Sequence, residues 1–427
     1  MMSLNPIFPG AALGEKLGTT LGEKLGTTLG EKLGTTLGVV GGGQLGRMFV
    51  HAAQSMGYFT AVLDADATSP AGLVSHLHIQ TTYVDEAGLS ELARVSAAIT
   101  TEFENVPAAA LSSLAAKRPV SPSAACVAVA QDRVAEKAHF VACAAKATQA
   151  GKRSITVAPY AVLETAADLA TVSVDLLPGI LKSARMGYDG KGQIRVKTLA
   201  ELAAGFDELG GVTCVLEKLM PLKAEYSVIL ARGADGQIVH FPPQRNVHVD
   251  GILAATYVCD AFIPLNSATA GVLSALDAAK NIANELNYIG VLCVELFLLE
   301  DETWVVNEIA PRPHNSGHYT IDACDVSQFE LQVRTLCQLP LTQPRQHSPA
   351  IMLNILGDVW FQEDALEAVT PPWDKILALP GTHLHLYGKK DAKKGRKMGH
   401  LTITGATVEA VQATTVKAAQ ILGIAEY

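Results

Sequence analysis

Long apolar runs are missing from this sequence. No segment reaches the roughly 18 consecutive apolar residues that a membrane-spanning helix needs. The N-terminus also lacks the charged start and the continuous apolar stretch of a secretory signal. We therefore expect a cytoplasmic protein with no membrane partner.

Cysteine is scarce and scattered. The seven cysteines never fall in C-x-x-C spacing and are odd in number, so the sequence predicts neither a disulfide framework nor a cysteine-based zinc site. Buried free thiols in a reducing compartment are the better interpretation. The seven are Cys126, Cys143, Cys214, Cys259, Cys293, Cys324 and Cys337.

A surplus of positive charge is also missing. The 42 Asp and Glu outnumber the 33 Lys and Arg, which gives a net charge of −9. This balance argues against general attraction to nucleic acid or acidic membranes, although a local basic pocket could still hold a small phosphate. The length of 427 residues and the 49% apolar content are those of a soluble globular protein with two to four domains.

An octad, Leu-Gly-Glu-Lys-Leu-Gly-Thr-Thr, occurs three times in succession from Leu13 to Thr36. The two glycines in each octad make a poor helix, and the period is far below that of known solenoid units. We interpret residues 1–36 as a flexible, dispensable tail with no catalytic role.

Alternating strands and helices begin directly after the octads. A strand ending at Val40, a helix over residues 47–56 and a strand over residues 59–64 predict a βαβ unit, and hence a parallel sheet with a right-handed crossover. The fold class that this alternation predicts is α/β. We expect a Rossmann-like domain at 37–130, a second region at 131–340 and, after a proline-rich linker, a small domain at 350–427.

The first glycine-rich turn allows three interpretations. Gly41, Gly43 and Gly46 satisfy G-x-G-x-x-G between a strand and a helix, and Asp64 and Asp66 follow at about the spacing of a ribose-binding acid. Glycines of this kind only let backbone N–H groups and a helix N-terminus approach an anion closely. NAD, another phosphorylated ligand and a purely structural turn all remain open.

A second glycine-rich loop runs from Gly187 to Gln193. It has three glycines within six residues and follows an apolar strand that ends in Lys182. Such a loop can fold over a triphosphate, with Lys191 as a mobile charge and Lys182 as a charge fixed on the strand. The alternative is a surface turn with solvated lysines, but the apolar residues before Lys182 favour a nucleotide site.

Two consecutive apolar strands between residues 291 and 309 each carry one carboxylate in the middle. A short turn between them would pair Leu299 with Trp304 near the tip and Glu295 with Glu308 further along. Side chains paired in this way have Cβ atoms about 5 Å apart, and two buried carboxylates at that distance need a cation or a proton between them. Oxygen ligands suit magnesium, with substrate phosphates completing the shell. The alternative is an exposed sheet face with solvated glutamates.

Donor groups crowd the loop that follows Glu308. Arg312, His314 and Ser316 would lie beside the predicted metal, which suits a transferring phosphoryl group or a phosphorylated substrate. For His314 and for His318, each taken singly, the alternative role is helix capping or packing. Near the C-terminus, a basic run around Arg396 is either a solvated face or a holder of substrate phosphate.

Six runs taken together resemble the 5-(carboxyamino)imidazole ribonucleotide synthases, and they follow the family's order from about Leu37 to near the C-terminus. As a set they are highly specific, although the single motifs are not. The runs are GGGQLGRM at 41–48, FENVP at 103–107, QDRVAEK at 131–137, MGYDGKGQ at 186–193, NEIAPRPHNSGH at 307–318 and GRKMGH at 395–400.

The resemblance implies an ATP-grasp fold, in which two α+β subdomains within residues 131–340 hold ATP between them, so that the whole chain combines α/β and α+β regions. It also implies the reaction: ATP and bicarbonate form carboxyphosphate, and 5-aminoimidazole ribonucleotide takes up the carboxyl group in purine biosynthesis. ATP and magnesium are the implied cofactors, and a homodimer is the implied assembly. In similar enzymes the first domain helps to hold the ribonucleotide rather than NAD.

Matching positions carry the family's site residues onto this sequence. Catalytic roles are implied for Tyr188, Asp189, Lys191 and Arg312. ATP contacts are implied for Arg133, Lys182, Gly187, Gly190, Gly192, Gln193, Glu217, Lys218, Leu219, Met220, Glu225, His248, Asn307 and Glu308. Ribonucleotide contacts are implied for Gly43, Gln44, Leu45, Glu104, His314, Asn315, Ser316, Lys389, Arg396 and Lys397. Magnesium ligation is implied for Glu295 and Glu308, in agreement with the hairpin argument.

The sequence departs from the family at three places. The octads have no counterpart, residues 144–156 read as an unusually long irregular connection, and Lys393 and Lys394 stand where Arg-Pro is usual. Three rival functions remain: another ATP-grasp ligase, such as a formate-dependent glycinamide ribonucleotide transformylase or a biotin carboxylase, an inactive nucleotide-binding homologue, and a dehydrogenase.

Overall fold

The computed structural model describes residues 6–9, 35–151, 156–185, 187, 192–258, 265–361 and 367–425, with the backbone alone at 265–274. Four predicted site residues lie outside this part of the chain: Tyr188, Asp189, Gly190 and Lys191.

A four-stranded parallel sheet forms the N-terminal unit, in the order β3-β2-β1-β4. Both faces of this sheet are buried. Val39 of β1 packs in the apolar cluster that includes the first helix, and the next residue, Val40, packs in the apolar cluster on the opposite face. The predicted βαβ unit and parallel sheet are confirmed. The elements are β1 (Thr36–Val40), α1 (Gln44–Ser55), β2 (Phe59–Leu63), β3 (Leu77–Ile79), α2 (Glu86–Val95), β4 (Ala98–Thr101), α3 (Ala108–Ala115) and α4 (Ala124–Ala130).

The described residues before β1 contact this unit, so the predicted flexible tail over residues 1–36 is wrong in part. Thr36 is already the first residue of β1. Ile7 donates its backbone N–H to the Cys337 carbonyl at 2.9 Å and accepts a hydrogen bond from the Tyr58 hydroxyl at 2.7 Å. The Ile7 side chain also packs against the apolar cluster around α1. The Thr35 hydroxyl donates to the Phe8 carbonyl at 2.8 Å, so this short segment is anchored by apolar burial and hydrogen bonds.

A long helix leads into the second unit. It runs from Arg133 to Gln149, and the side chain of the preceding residue, Asp132, caps it by accepting the N–H groups of Val134 and Ala135. Residues 144–149 are thus helical, where the sequence predicted an irregular connection. The segment is rich in alanine, which has the highest helix propensity, and this outweighs the polar residues around it.

The second unit is a four-stranded antiparallel sheet in the order β6-β9-β7-β8. The glycine-rich loop connects β7 to β8, and Gly192 within it has φ of +69°, a conformation that favours glycine. The elements are α5 (Arg133–Gln149), β5 (Thr156–Val157), β6 (Tyr160–Leu163), β7 (Gly179–Ser183), β8 (Gln193–Val196), α6 (Leu199–Glu208) and β9 (Cys214–Lys218).

A large, mainly antiparallel sheet forms the third unit, in the order β17-β18-β16-β13-β12-β10-β14-β15-β5, with β11 beside β10. Helix α7 packs on it through the cluster that contains Ile282 and Leu292. Its first elements are β10 (Leu222–Arg232), β11 (Ile238–His240), β12 (Gln244–Val249), β13 (Ile252–Val258), α7 (Leu265–Glu285), β14 (Gly290–Leu299), β15 (Trp304–Ala310), α8 (Thr320–Ala323) and α9 (Gln328–Leu336).

The C-terminal strands continue this large sheet, because β16 pairs with β13 from Ala255↔Leu353 to Val258↔Ala350. The predicted small domain at 350–427 therefore shares a sheet with the region before it instead of forming a sheet of its own. Its elements are β16 (Ala350–Leu356), α10 (Trp373–Leu377), β17 (Thr382–Leu386), β18 (Lys397–Thr404) and α11 (Val408–Leu422). Within the described part of the chain, no helix has the length and apolarity to cross a membrane.

Candidate active site

A cleft of about 890 Å³ is lined by residues of all three units. It contains most of the predicted site residues that the structure describes. On its wall are Gly43, Gln44, Leu45, Glu104, Arg133, Lys182, Gly187, Gln193, Glu217, Lys218, Leu219, Met220, Glu225, His248, Glu295, Asn307, Glu308, Arg312, His314, Asn315 and Lys397. Four predicted residues in the described ranges are absent from the wall: Gly192, Ser316, Lys389 and Arg396.

The β14–β15 hairpin places Glu295 directly opposite Glu308, as the sequence predicts. Near the tip, however, Trp304 pairs with Leu298, one residue earlier than predicted. Asn307 is the extra residue: it forms a bulge in β15 that brings the two carboxylates back into register. The predicted pairing is confirmed at the site and wrong at the turn.

Glu308 faces a cation from another unit of the protein. Arg133 Nη1 lies 3.0 Å from Glu308 Oε2. Burial acts to raise the pKa of Glu308, but Arg133 and then Lys182 outweigh it and hold the pKa below its usual value. Since 35% of the Glu308 side chain remains exposed to the open cleft, its carboxylate is accessible to a ligand.

Glu295 has a histidine as its partner. His314 Nε2 lies 3.1 Å from Glu295 Oε1, and the Ser316 N–H donates to His314 Nδ1 at 3.3 Å. Because Nδ1 accepts, a neutral His314 carries its hydrogen on Nε2 and donates it to the carboxylate. His314 thus orients Glu295. The Ser316 side chain, predicted to contact the ribonucleotide, instead lies buried 2.7 Å from the Ser227 hydroxyl behind this pair.

A buried cluster of two lysines and one glutamate forms the floor between the second and third units. Glu217 Oε1 lies 3.1 Å from Lys182 Nζ, and its Oε2 lies 3.3 Å from Lys137 Nζ. Burial would raise the pKa of Glu217, but the two lysines outweigh it and lower the pKa. The Glu217 carboxylate is therefore engaged by the lysines and does not point freely into an adenine pocket.

Lys137 is a site residue that the sequence analysis missed. Its side chain is 1% exposed and donates to the Asn307 carbonyl at 3.0 Å, so it supports the bulge beside Glu308. The available signal was its position four residues after Arg133, which places both cations on one face of α5.

Glu136 also faces this region, from the same turn of α5. Its Oε1 accepts the Ile309 N–H at 2.8 Å, and its side chain is buried. Burial, reinforced by the charge of Glu308, raises the pKa of Glu136 to about 8. The group is therefore mainly a neutral acid at pH 7, which relieves repulsion next to Glu308.

The first glycine-rich turn is closed by carboxylates of the protein itself. Gly43 and Gly46 donate their N–H groups to Glu102 at 2.8 and 3.0 Å, and Gly42 donates to Asp64 at 2.7 Å. These are the N–H groups that would hold the pyrophosphate of NAD. The structure supports the interpretation as a structural turn and argues against a dinucleotide.

Two ion pairs close other parts of the wall. Arg312 Nε pairs with Glu104 Oε2 and joins the third unit to the N-terminal one. Burial would lower the pKa of Arg312, but Glu104 more than offsets this and raises it. His248 Nδ1 lies 2.6 Å from Glu225 Oε2, so these two predicted nucleotide contacts hold each other in place.

Several polar atoms of the wall are buried and, within the described residues, have no hydrogen-bond partner. They are Asn307 Oδ1, both side-chain polar atoms of Asn315, and His318 Nε2. Buried polar groups in proteins are normally paired, so unpaired ones on a cleft wall indicate a ligand or ordered water. The Asn307 oxygen, beside Glu295 and Glu308, completes a set of oxygen donors that fits magnesium.

The hydrogen of His318 can be placed. Gln328 receives the His314 N–H on Oε1 and donates from Nε2 to the His314 carbonyl, which orients its amide. The same Nε2 lies 3.2 Å from His318 Nδ1, which must therefore accept. Nε2 of a neutral His318 then carries the hydrogen, and burial lowers the pKa of this imidazole well below its usual value. His318 is a donor that the sequence-based site residues did not include.

The predicted phosphate pocket in the basic C-terminal run is only partly formed. Lys397 lies on the cleft wall, and Lys389 Nζ donates to the Lys397 carbonyl at 2.6 Å. Arg396 Nη1 donates to the Asp391 carbonyl at 3.0 Å and lies away from the wall. Lys389 therefore supports Lys397, and only Lys397 of the three contributes directly to the wall.

Three family models match successive parts of the chain. They are the ribonucleotide synthetase preATP-grasp domain over residues 34–131, the ATP-grasp domain over 148–329 and the phosphoribosylaminoimidazole carboxylase C-terminal domain over 350–414. The predicted ATP-grasp fold is confirmed, and the three matches follow the predicted order of regions.

Full-length relatives agree with these matches. The N5-carboxyaminoimidazole ribonucleotide synthase of Bacillus subtilis (strain 168) is 40% identical over 402 residues, 94% of this chain and 93% of the relative. The enzyme of that name from Brucella melitensis is 41% identical over 367 residues, 85% of this chain and 94% of the relative. The N5-carboxyaminoimidazole synthase of Aspergillus clavatus, solved with ADP and 5-aminoimidazole ribonucleotide, is 30% identical with a TM-score of 0.77, and the match covers 91% and 98% of the two chains.

We predict that Glu217→Gln destabilises the protein by about 3 kcal/mol, because it leaves two buried lysines without their shared counter-charge. Urea unfolding of both proteins measures the difference. Glu208→Gln, at an exposed position at the end of α6, is the control and should change little. Equal effects of the two substitutions would contradict the proposed charge cluster.

We predict that Glu136→Gln gains stability relative to the native protein as pH rises from 5 to 8. The pKa of the Glu136 carboxyl is about 8 in the folded protein and 4.5 in the unfolded chain. The folded protein therefore binds this proton more tightly, and the native protein loses free energy of unfolding as pH rises between these values. Glutamine does not titrate. Urea unfolding of magnesium-free protein at several pH values tests this, and a difference that does not vary with pH would refute it.

Proposed function

Since this chain belongs to the N5-carboxyaminoimidazole ribonucleotide synthase family, we propose that its cleft carries out the ATP- and bicarbonate-dependent carboxylation of 5-aminoimidazole ribonucleotide. The chain is an ATP-dependent carbon–nitrogen ligase of purine biosynthesis. The observation that carries the assignment to this cleft is the pair Glu295 and Glu308, held opposite each other and facing buried cations.

The cation side of the cleft suits the phosphates of ATP. Arg133 and Lys182 approach it from α5 and β7, and Gly187 lies on the wall of the same cleft. We assign both side chains to the phosphates, since charge-assisted contacts are the strong ones for such groups. When ATP enters, Arg133 can exchange the Glu308 carboxylate for a phosphate oxygen at little cost in charge balance.

Glu295, Glu308 and the Asn307 oxygen are the residues that would hold magnesium. The ion would neutralise the two carboxylates and screen the charge that develops on the transferred phosphoryl group. The protein's own contribution is to hold those oxygens in place through His314 behind Glu295 and Lys137 behind Asn307.

We assign the adenine and the ribose to another part of the cleft wall. Lys218, Leu219 and Met220 follow β9 on the wall, and the Glu225–His248 pair lies on the neighbouring strands β10 and β12. Backbone groups of the 218–220 segment would recognise the base, while Glu225 would accept a ribose hydroxyl. Glu217 has the different role of holding Lys137 and Lys182.

The proposed carboxylation proceeds in two steps. A bicarbonate oxygen attacks the γ-phosphorus, the bond to ADP breaks, and carboxyphosphate forms. The amino nitrogen of the ribonucleotide then bonds to the carboxyl carbon as phosphate leaves and the amine gives up a proton. Arg312, at the junction with the N-terminal unit, would stabilise the anionic intermediates. Tyr188, Asp189 and Lys191 are assigned to carboxyl transfer by family resemblance alone.

The ribonucleotide would lie between the N-terminal unit and the loop after β15. Gly43, Gln44 and Leu45 line the same cleft as the unpaired amide of Asn315, and Lys397 on its wall would supply a positive charge for the phosphate. His318 adds a buried N–H donor. We further propose a cytoplasmic homodimer, as the family resemblance implies.

The direct test is ADP release by purified protein with ATP, magnesium and bicarbonate, with and without 5-aminoimidazole ribonucleotide. We expect strong stimulation by the ribonucleotide and formation of its carboxylated product. ATP turnover without stimulation would assign the cleft to another ATP-grasp ligase, and no turnover would favour an inactive nucleotide-binding homologue.

We predict that Glu308→Ala abolishes this turnover while the protein stays folded, because magnesium loses a ligand. Glu300→Ala is the matched control, since Glu300 is exposed on the same hairpin and its hydrogen bond to the Pro221 carbonyl is donated by the backbone N–H, which alanine keeps. Circular dichroism checks folding. Undiminished turnover in Glu308→Ala would refute the metal assignment.

A further inference from the structure

A second group of metal-ligating side chains, which shares no residue with the magnesium site, lies where α8 meets the paired strands β17 and β18. It consists of Asp322, His385 and His400. Asp322 belongs to the region of the ATP-grasp match, whereas the two histidines belong to the C-terminal match, so the group joins two parts of the chain.

The three side chains already converge. Each offers a ligand atom, and these atoms lie within 4.8 Å of one another. His385 Nε2 is 2.9 Å from Asp322 Oδ2. His385 and His400 are directly paired across β17 and β18, and their rings stack with centroids 4.5 Å apart.

His400 provides an independent indication of a ligand. It is fully buried, and its Nδ1 lies 3.1 Å from the Tyr387 hydroxyl. Its Nε2 is buried without a hydrogen-bond partner among the described residues. If Nδ1 donates to the tyrosine oxygen, the lone pair lies on Nε2, which is the arrangement of a metal-binding histidine with its supporting acceptor.

We propose that Asp322, His385 and His400 form a zinc site that ties the C-terminal strands to the body of the protein. Two imidazoles and one carboxylate match zinc, with water as the fourth ligand, whereas magnesium prefers oxygen ligands alone. Coordination requires one stacked ring to turn toward the other, and His385, 30% exposed, is free to do so. The bound ion then replaces the His385–Asp322 hydrogen bond with two metal–ligand bonds.

This site is distinct from the cysteine-based zinc site that the sequence argues against. Its ligands are 63 and 15 residues apart along the chain, so no short motif reveals them. Only the pairing of β17 with β18 and their contact with α8 bring them together.

Zinc titration calorimetry of metal-stripped, tag-free protein in excess magnesium tests the proposal. We expect one zinc per chain, with affinity reduced at least about tenfold in Asp322→Asn and in His385→Gln. These substitutions avoid the fully buried His400. His347→Ala, which removes an exposed imidazole elsewhere, and Glu295→Gln, in the magnesium site, should both retain zinc binding.

A second readout is thermal unfolding. Zinc should raise the midpoint of the native protein and of His347→Ala, but not that of Asp322→Asn, because only a ligand that binds the folded state stabilises it. Absence of stoichiometric zinc binding, or equal zinc affinity in the native protein and both site variants, would overturn the proposal.

Discussion

The constraint on which the site depends is the pairing of Glu295 with Glu308 across two buried strands. Two carboxylates at neighbouring positions repel each other, and a sheet tolerates them only where opposite charge is supplied. The structure supplies that charge from a different unit. Arg133 forms an ion pair with Glu308, and close by Lys182 and Lys137 both form ion pairs with Glu217. The carboxylates of the third unit and the cations of the second unit therefore meet in the cleft. This arrangement suits the binding of a polyanion together with its metal ion.

In the N-terminal unit, carboxylates of the protein occupy the backbone N–H groups of the glycine-rich turn. Its glycine-rich turn has the geometry of a dinucleotide site, yet Glu102 and Asp64 take the N–H groups that a pyrophosphate would need. A carboxylate at a helix N-terminus is favourable for the same electrostatic reason that a phosphate would be. The turn thereby becomes a rigid wall that presents Gly43 and Gln44 to the cleft. The Arg312–Glu104 pair then holds this wall against the loop that follows β15.

Sequence reasoning reached the elements that have a clear period or motif. The βαβ unit and the pairing of Glu295 with Glu308 followed from strand periodicity, and family resemblance supplied most of the wall residues. It missed features that depend on tertiary contacts. Lys137 and Glu136 are remote in sequence from Glu308. The spacing from Arg133 places Lys137 on the same face of α5, but it does not show that either side chain is buried. The bulge at Asn307 shifted the hairpin tip by one residue because turn geometry, not the apolar pattern, sets the register there. The alanine-rich end of α5 is helical where an irregular connection was predicted. Residues 6–9 are anchored to the N-terminal unit where a flexible tail was predicted.

The most direct test is a crystal structure with magnesium and a non-hydrolysable ATP analogue. We predict a metal ion bound by Glu295 and Glu308 at about 2.0–2.1 Å, with Arg133 moved from Glu308 to a phosphate oxygen. A nucleotide bound elsewhere, or an Arg133–Glu308 pair unchanged at 3.0 Å beside a cleft without metal, would contradict the account.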